Sequence, residues 1–590
     1  MNWLVPLPVA IPLVGAALII ATDHVLPRGA KDAIGIAAAA GTFALGVVLC
    51  FESGRHELVH WFGGWEPRAG LAIGIAFKLD PLGAAMCAVA GAIVLLALLY
   101  SLTFMEEAAH FFDALVLVCC AALCGFALSA DLFNLFVWLE LAGVAAFALT
   151  GFEIRRIGPL QGAVNFAIVN TLGGYFVLIS IALLYGRTGA LDLAQIGRSL
   201  AHGPADGLVI VALTLVTAGF LCKAAVVPFH FWCADAYAVA PTPVCAVFAG
   251  AMTDIGLLGV ARVYWTAFSG AVGADAGDLL LALGLATAVL GGVMAFLQRH
   301  LKRMLAYSVV CHIGIMLAGI GLLSAKGLAG AAAMLLAHGL ATAGLFFAGG
   351  MLLARERSVD ELGLRGKGAG RRVLAVLWFA GAVALAGPPY IGTFLGHSLI
   401  DDAAAAAGRS WVPPFLWLAG ACASGALLRA GARIFLGWGA DADPLLTREP
   451  DERPPPRSTR TGLTGAVCAT AICAAVAVSL VPGLGQRAET AASEFENRAA
   501  YAAVVLDAQT GARPPRPPVA LEPSSTSTLL YASGTLLVAL ALAGFGLGPH
   551  RQPRPVAVLK AVHSGVVGDY VAWLTVGTAL IGGVWALILR

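Results

Sequence analysis

Residues 223–232 read K-A-A-V-V-P-F-H-F-W, a lysine and a proline set in a stretch that is otherwise almost wholly apolar from 207 onward. A lysine at the centre of a lipid bilayer costs about 3 kcal/mol by insertion scales. A proline inside a helix removes an N–H and disrupts the i→i−4 ladder. Lipid cannot repair that loss, so such a break is tolerated only where protein or a water-filled cavity lines it. A second stretch, A-G-P-P-Y-I-G-T-F at 386–394, carries Gly387, Pro388, Pro389 and Gly392 inside another apolar run. Two interrupted helices in corresponding positions, five spans apart, predict an inverted repeat, because an odd number of helices per unit flips the second copy.

The rest of the chain supports a membrane reading. Of 590 residues, 59% are hydrophobic and only 12% charged, with 71 glycines. A soluble globular protein carries roughly 25% charged residues, so this chain cannot clothe a water-facing surface. The net charge of +2 offers no basic field to a polyanion, which excludes a nucleic-acid binder. Apolar spans fall near 3–22, 33–51, 79–103, 112–130, 132–152, 162–186, 207–231, 243–268, 277–297, 304–324, 328–353, 373–397, 412–437, 461–482, 529–547 and 568–589. They do not alternate as barrel strands would, so an all-α polytopic membrane protein is predicted. The start of the chain has no basic n-region and no clear cleavage site, and reads as a retained first span.

Basic residues cluster after odd-numbered spans: Arg28 and Lys31, Arg155 and Arg156, Arg299, Lys302 and Arg303, the run Arg355 to Arg372, and Arg551, Arg554 and Lys560. The positive-inside rule then places those loops in the cytoplasm and both termini outside, in a multi-pass cell membrane protein. The expected organisation is helices 1–3 over residues 1–110, a first five-helix repeat over 111–270 and a second over 271–440. A charged loop and helix 14 follow at 441–485, an amphipathic surface helix and Pro-rich linker at 486–528, and two further helices at 529–590. The last pair reads as an appendage on a core of about fourteen.

Ionisable groups inside spans need a reason. Glu140 lies in the fifth span and Lys223 in the seventh, where an ion pair between them would make each charge tolerable. Separating such a pair changes both proton affinities, the physics of an electrostatically driven proton relay; a static pair holding two helices in register is the plainer alternative. Asp254 sits in the eighth span, protonated, paired with Lys223 or part of a conduit. His312 and His338 lie in the tenth and eleventh spans, and His230 just after Pro228; each is a proton-transfer candidate or a hydrogen-bonded packing residue. Asp131, Arg262, Arg299 and Lys302 fall at span ends, where snorkelling accounts for them. Twelve scattered cysteines without a C-x-x-C pair read as packing residues. No metal, cofactor or catalytic residue is expected in this chain.

Three ordered motifs resemble a known family. D-L-F-N-L-F-V-W-L-E (131–140), the stretch beginning K-A-A-V-V-P-F-H-F-W (223–244) and L-K-R-M-L-A-Y-S-V-V-C-H-I-G (301–314) are similar to signatures of the proton-translocating, antiporter-like subunits. Those occur in respiratory complex I, membrane-bound hydrogenases and Mrp-type Na⁺/H⁺ antiporters. The tail H-S-G-V-V-G-D-Y-V-A-W-L (563–574) is similar to the C-terminal helix of longer members, and the segment before it to the post-core segment of an Mrp-type antiporter subunit.

The resemblance implies fourteen core helices, inverted five-helix repeats with broken helices 7 and 12, and a midplane row of charged residues that carries protons. In it Glu140, Lys223 and His338 match the family's fifth-helix Glu, seventh-helix Lys and eleventh-helix His. Several positions depart from the pattern: Asp254 stands where many members have Lys, Thr342 replaces the eleventh-helix Lys, the twelfth-helix Lys or Glu falls at Gly396 or beside it at His397, and Thr393 stands where the family has an aromatic after the glycine. Either His312, His338 and His397 with bound water complete an altered path, or the subunit no longer pumps.

Three functions fit these residues: a proton-translocating subunit of a redox-driven complex, non-catalytic by itself; a subunit of an Mrp-type cation/proton antiporter; or a non-conducting scaffold with a degenerate second half-channel. Its partners are then other membrane and peripheral subunits, the bilayer, and protons or Na⁺.

Overall fold

Chain segments with no water to bond must satisfy their own backbone, and here they do so as helices. The structure, a computed structural model, describes residues 2–104, 109–153, 156–201, 203, 205–439, 461–507, 525–548, 563 and 565–589. Most of the loop 440–460, most of the linker 511–528, Arg155, Arg551, Arg554 and Lys560 lie outside the described residues. The first helices are α1 (Leu7–Ala21), α2 (Arg28–Ser53), α3 (Pro81–Phe104), α4 (Ala109–Leu128), α5 (Leu132–Thr150), α6 (Ile157–Thr188), α7 (Leu193–Leu200), α8 (Gly207–Lys223) and α9 (Phe231–Val239). Then come α10 (Thr242–Val272), α11 (Ala276–Leu297), α12 (Leu301–Gly321), α13 (Ala325–Glu356), α14 (Arg372–Ala386), α15 (Phe394–Ala406) and α16 (Val412–Leu436). The chain closes with α17 (Thr461–Ala477), α18 (Leu484–Glu496), α19 (Arg498–Leu506), α20 (Thr526–Gly546) and α21 (Val567–Ile588).

Among the described residues thirteen helices are long and apolar enough to cross a membrane. Three shorter apolar helices are α1, α8 and α14. The last two are short because they stop at the two expected breaks, each resuming as α9 or α15. All sixteen expected spans are therefore helical.

The repeat is visible in the packing. α4 packs on α5, α5 on α6, and α6 on both halves of the broken α8–α9. The same order recurs with α11 on α12, α12 on α13, and α13 on both halves of α14–α15. The third helix of each set, α6 and α13, is 32 residues long. The two halves meet where α9 packs on α12 and the start of α10 on α13.

Several features were not read from the sequence, and some readings need correction. An antiparallel ribbon joins α2 to α3, with β1 (Leu58–Trp61) paired to β2 (Ala76–Leu79). The amphipathic stretch is two helices, α18 and α19, parted at Asn497, whose side chain accepts from the Ala500 N–H at 3.0 Å. Protein, rather than membrane surface, covers its apolar face: α18 lies on α13, α3 and α15, and α19 on α7 and the Tyr264–Phe268 turn.

Snorkelling fails as an account of Arg262, which is 1% exposed and pairs with Asp80 at 2.8 Å. Its guanidinium also donates to the Ala127 carbonyl and lies 5.0 Å from the Phe495 ring. Asp131 caps α5, accepting from the Asn134 N–H at 2.7 Å. Lys302 is buried and donates to the Ala240 carbonyl.

Of the two C-terminal helices, one covers the second repeat and the other lies on the first and reaches the second. α20 packs on α16 and on both halves of α14–α15, while α21 packs on α8, α6 and α11. A buried triad anchors the first of them. Glu361 receives Arg429 at 3.1 Å and also Arg433, and Arg433 donates onward to the Gly546 carbonyl at the end of α20.

Candidate functional site

The first break begins at Lys223, the last residue of α8 and buried. Ala225 takes a φ of +55° and the helix stops. The freed backbone groups find partners from distant elements, as burial requires. The Val227 N–H donates to Thr287 Oγ1 of α11 at 3.1 Å, and Trp232 Nε1 donates to the Cys222 carbonyl at 3.0 Å. Trp232 stacks on Phe166 of α6 at 4.3 Å, and the Lys223 ammonium lies 5.6 Å from the same Phe166 ring. A cation held near an aromatic face offsets part of its desolvation.

Glu140 turns toward α6 rather than toward Lys223. A Cβ added to Gly174 of α6 would collide with Glu140 Oε1, so the carboxylate fills the space that glycine leaves. The Lys223 ammonium lies one turn further along α5, against Gly143. The expected direct ion pair is thus not formed among the described residues; the two charges interact through space. The geometric reason is the glycine cradle, which holds the carboxylate against α6 one turn away from the ammonium, since residues three apart share a helix face.

Asp254 follows a π-helical turn, Phe248–Met252, inside α10. Such turns often mark functional positions. It is fully buried and, among the described residues, neither carboxylate oxygen has a hydrogen-bond partner. It faces a cavity of about 60 Å³, where α3, α10, α12 and α13 meet, lined also by Met86, Leu257, Met316 and Leu335. The junction between the two repeats therefore carries an ionisable group beside open space.

At the second break Gly387, Tyr390 and Gly392 all take positive φ. Thr393 returns its N–H to the Ala384 carbonyl at 3.0 Å. His312 of α12 places Nε2 3.3 Å from the Leu385 carbonyl, freed by the break, and Nδ1 2.8 Å from the Ser308 carbonyl. His338 of α13 stacks on His312 at 4.8 Å and is fully buried, with no hydrogen-bond partner at either nitrogen among the described residues. Thr342 donates to the His338 carbonyl at 2.8 Å.

His397 of α15 stacks on Trp417 at 3.9 Å, and Trp417 Nε1 donates to Asp401 at 2.9 Å. Gly396 has no room for a side chain, since a Cβ would stand 2.7 Å from that of Met334. Buried Asp401 was missed in the sequence; its signal is the i, i+4 spacing from His397, which puts both on one helix face. Of the residues singled out, His312 and His338 are brought into contact, and Glu140 and Lys223 lie about one turn of α5 apart without a direct ion pair among the described residues. Asp254 stands alone in its cavity. Pro228 packs on α21, where it fills the space a Cβ at Gly577 would need, and Pro388 and Pro389 form the second break.

Residues 129–425, half of the chain, match the family described as "NADH:quinone oxidoreductase/Mrp antiporter, TM". The chain belongs to this family. Residues 65–112 match its companion, "NADH-Ubiquinone oxidoreductase (complex I), chain 5 N-terminus". Among antiporter-like relatives, NADH-quinone oxidoreductase subunit N of Desulforudis audaxviator is 33% identical over 53% of this chain and 63% of its own length. That share is under two thirds of the relative. A probable K(+)/H(+) antiporter subunit of Rhizobium meliloti is 33% identical over 64% of this chain and 68% of its own. A chain of the Mrp complex from a Dietzia species superposes with a TM-score of 0.71 at 25% identity, covering 86% of this chain and all of that one.

Proposed function

We propose that this chain is a proton-translocating subunit of a multisubunit membrane complex of the complex I or membrane-bound hydrogenase type. Protons pass from Glu140 and Lys223, through Asp254 at the junction, to His312 and His338 and on to His397; His230 serves the first break, and Thr342 positions the His338 backbone. One observation carries the reading: buried titratable groups stand at both helix breaks and at the junction between repeats. Where the family resemblance implies lysines, the second half offers stacked imidazoles. His312 faces two carbonyl acceptors, so only its doubly protonated form donates to both. By the charge of the loops, the basic side is cytoplasmic and both termini are external.

A second reading, a subunit of a cation/proton antiporter, is favoured by the coverage of the Dietzia Mrp chain. Reconstitution of the complex in liposomes tests both. Glu140→Gln or Lys223→Ala is expected to lower proton flux at least about tenfold, the scale of one lost proton-transfer group. Unchanged flux and turnover in both variants would leave a scaffold role instead. A strict requirement for Na⁺ or K⁺ would favour the antiporter reading.

A further inference from the structure

The tail reads from sequence as a docking appendage, yet it delivers an imidazole to the first break. His563, in the segment leading into α21, places Nε2 3.0 Å from Nε2 of His230. His230 is 2% exposed and its Nδ1 has no hydrogen-bond partner among the described residues, whereas His563 is partly exposed. The pair therefore runs from the surface inward.

The contact is held from three sides. Tyr570 of α21 donates to Asp235 of α9 at 2.6 Å, and Arg303 of α12 donates to the other oxygen of Asp235 at 2.8 Å. Phe231 lies between His563 and Tyr570, and the Tyr307 ring of α12 stands edge-on to His563 at 5.7 Å. Among the described residues, Asp235, Arg303, Tyr307 and Tyr570 are titratable or charged groups placed around the two imidazoles. The carboxylate is matched by a guanidinium and a phenol, which leaves the facing ring nitrogens, each able to donate or to accept, as the route for a proton.

We propose that His563 is a proton-relay residue, so that the C-terminal segment completes the proton path at the first break. His563 starts with its proton on Nε2 and accepts one from water at Nδ1. It passes the Nε2 proton to Nε2 of His230, and His230 releases its own proton from Nδ1 toward the interior. Each ring ends as the opposite neutral tautomer and resets by tautomer exchange, so one proton enters for each that leaves.

The inference rests on the proton-carrying reading, and two measurements on the intact complex separate their failures. In liposomes, His563→Ala is expected to lower proton flux about tenfold, and added imidazole to restore at least half of it. His563→Asn, which keeps a polar side chain without a relay imidazole, is expected to be equally slow. Tyr570→Phe, which loosens docking alone, is expected to keep most of the flux. Full flux in His563→Asn, or a loss in His563→Ala that imidazole does not restore, would overturn the relay. The second measurement needs no flux: histidine Cε1–H exchange read by mass spectrometry. His230→Gln is expected to change the pH dependence of exchange at His563, because imidazoles sharing one proton titrate as a unit. An unchanged profile would overturn the proposal. Normal flux in Glu140→Gln, with coupled exchange at His563, would instead sink the proton-carrying reading alone.

Discussion

His312 points a ring nitrogen at the Leu385 carbonyl, 3.3 Å away, across the gap where α14 ends. At the first break the corresponding repair, to Cys222, comes from an indole that cannot titrate, Trp232. The two halves close their broken helices with different chemistry, and only the second does so with a group that can change charge.

Replacing His312 by Leu removes one of two donors to the Leu385 carbonyl, which keeps the Thr393 hydroxyl at 3.2 Å, so the loss is that of one ordinary hydrogen bond, about 1 kcal/mol. The variant complex is expected to melt only slightly earlier in a thermal-shift assay and to lose proton flux. A large loss of flux with a small loss of stability is the outcome that marks His312 as a proton carrier rather than a packing residue.

Gly174→Ala tests the Glu140 site without touching a titratable side chain. The new Cβ claims the space that Oε1 occupies, so the carboxylate must turn away. Flux in liposomes is expected to fall nearly as far as in Glu140→Gln, and combining the two is expected to add little.

Gly396→Lys, which restores the residue type implied by the family resemblance, is expected to harm rather than help. The backbone of α15 lies against Met334, and overpacking of this kind costs about 1–3 kcal/mol. A drop in melting temperature with no gain in flux is the expected result.

The pair formed by Asp80 and Arg262 sets an acid limit on stability. Burial pushes the Asp80 carboxyl up, but Arg262, Lys78 and the Gly83 N–H outweigh it and hold it below its ordinary value. A carboxylate so depressed contributes stability that is complete above its unfolded pKa of about 3.9 and is lost as pH falls through the folded value. Asp80→Asn strands a buried guanidinium and is expected to cost about 3–5 kcal/mol at pH 7. Melting curves of wild type and variant are expected to converge only well below pH 4.

The sixteen spans were legible because bilayer thickness imposes one length on every crossing, and both breaks because proline and glycine announce themselves. The partners of the charges were not. Arg262 looked like a span-end residue because Asp80 is far away in sequence and only the fold joins them. The Gly174 cradle could not be foreseen, since glycine is common in this chain and carries no mark of what it faces. Asp401 was hidden because the twelfth span was expected to end at 397, whereas its second half runs on to Ala406. The ribbon strands are only four residues each, too short for alternation to stand out.

The α18–α19 segment touches the second repeat through α13 and α15 and the first through α7 and the Tyr264–Phe268 turn. A carrier that works by rocking one bundle against the other must let its halves part on each face in turn. To swing open on this face the two halves would first have to give up the contacts of this strap, so its removal is expected to loosen one half against the other.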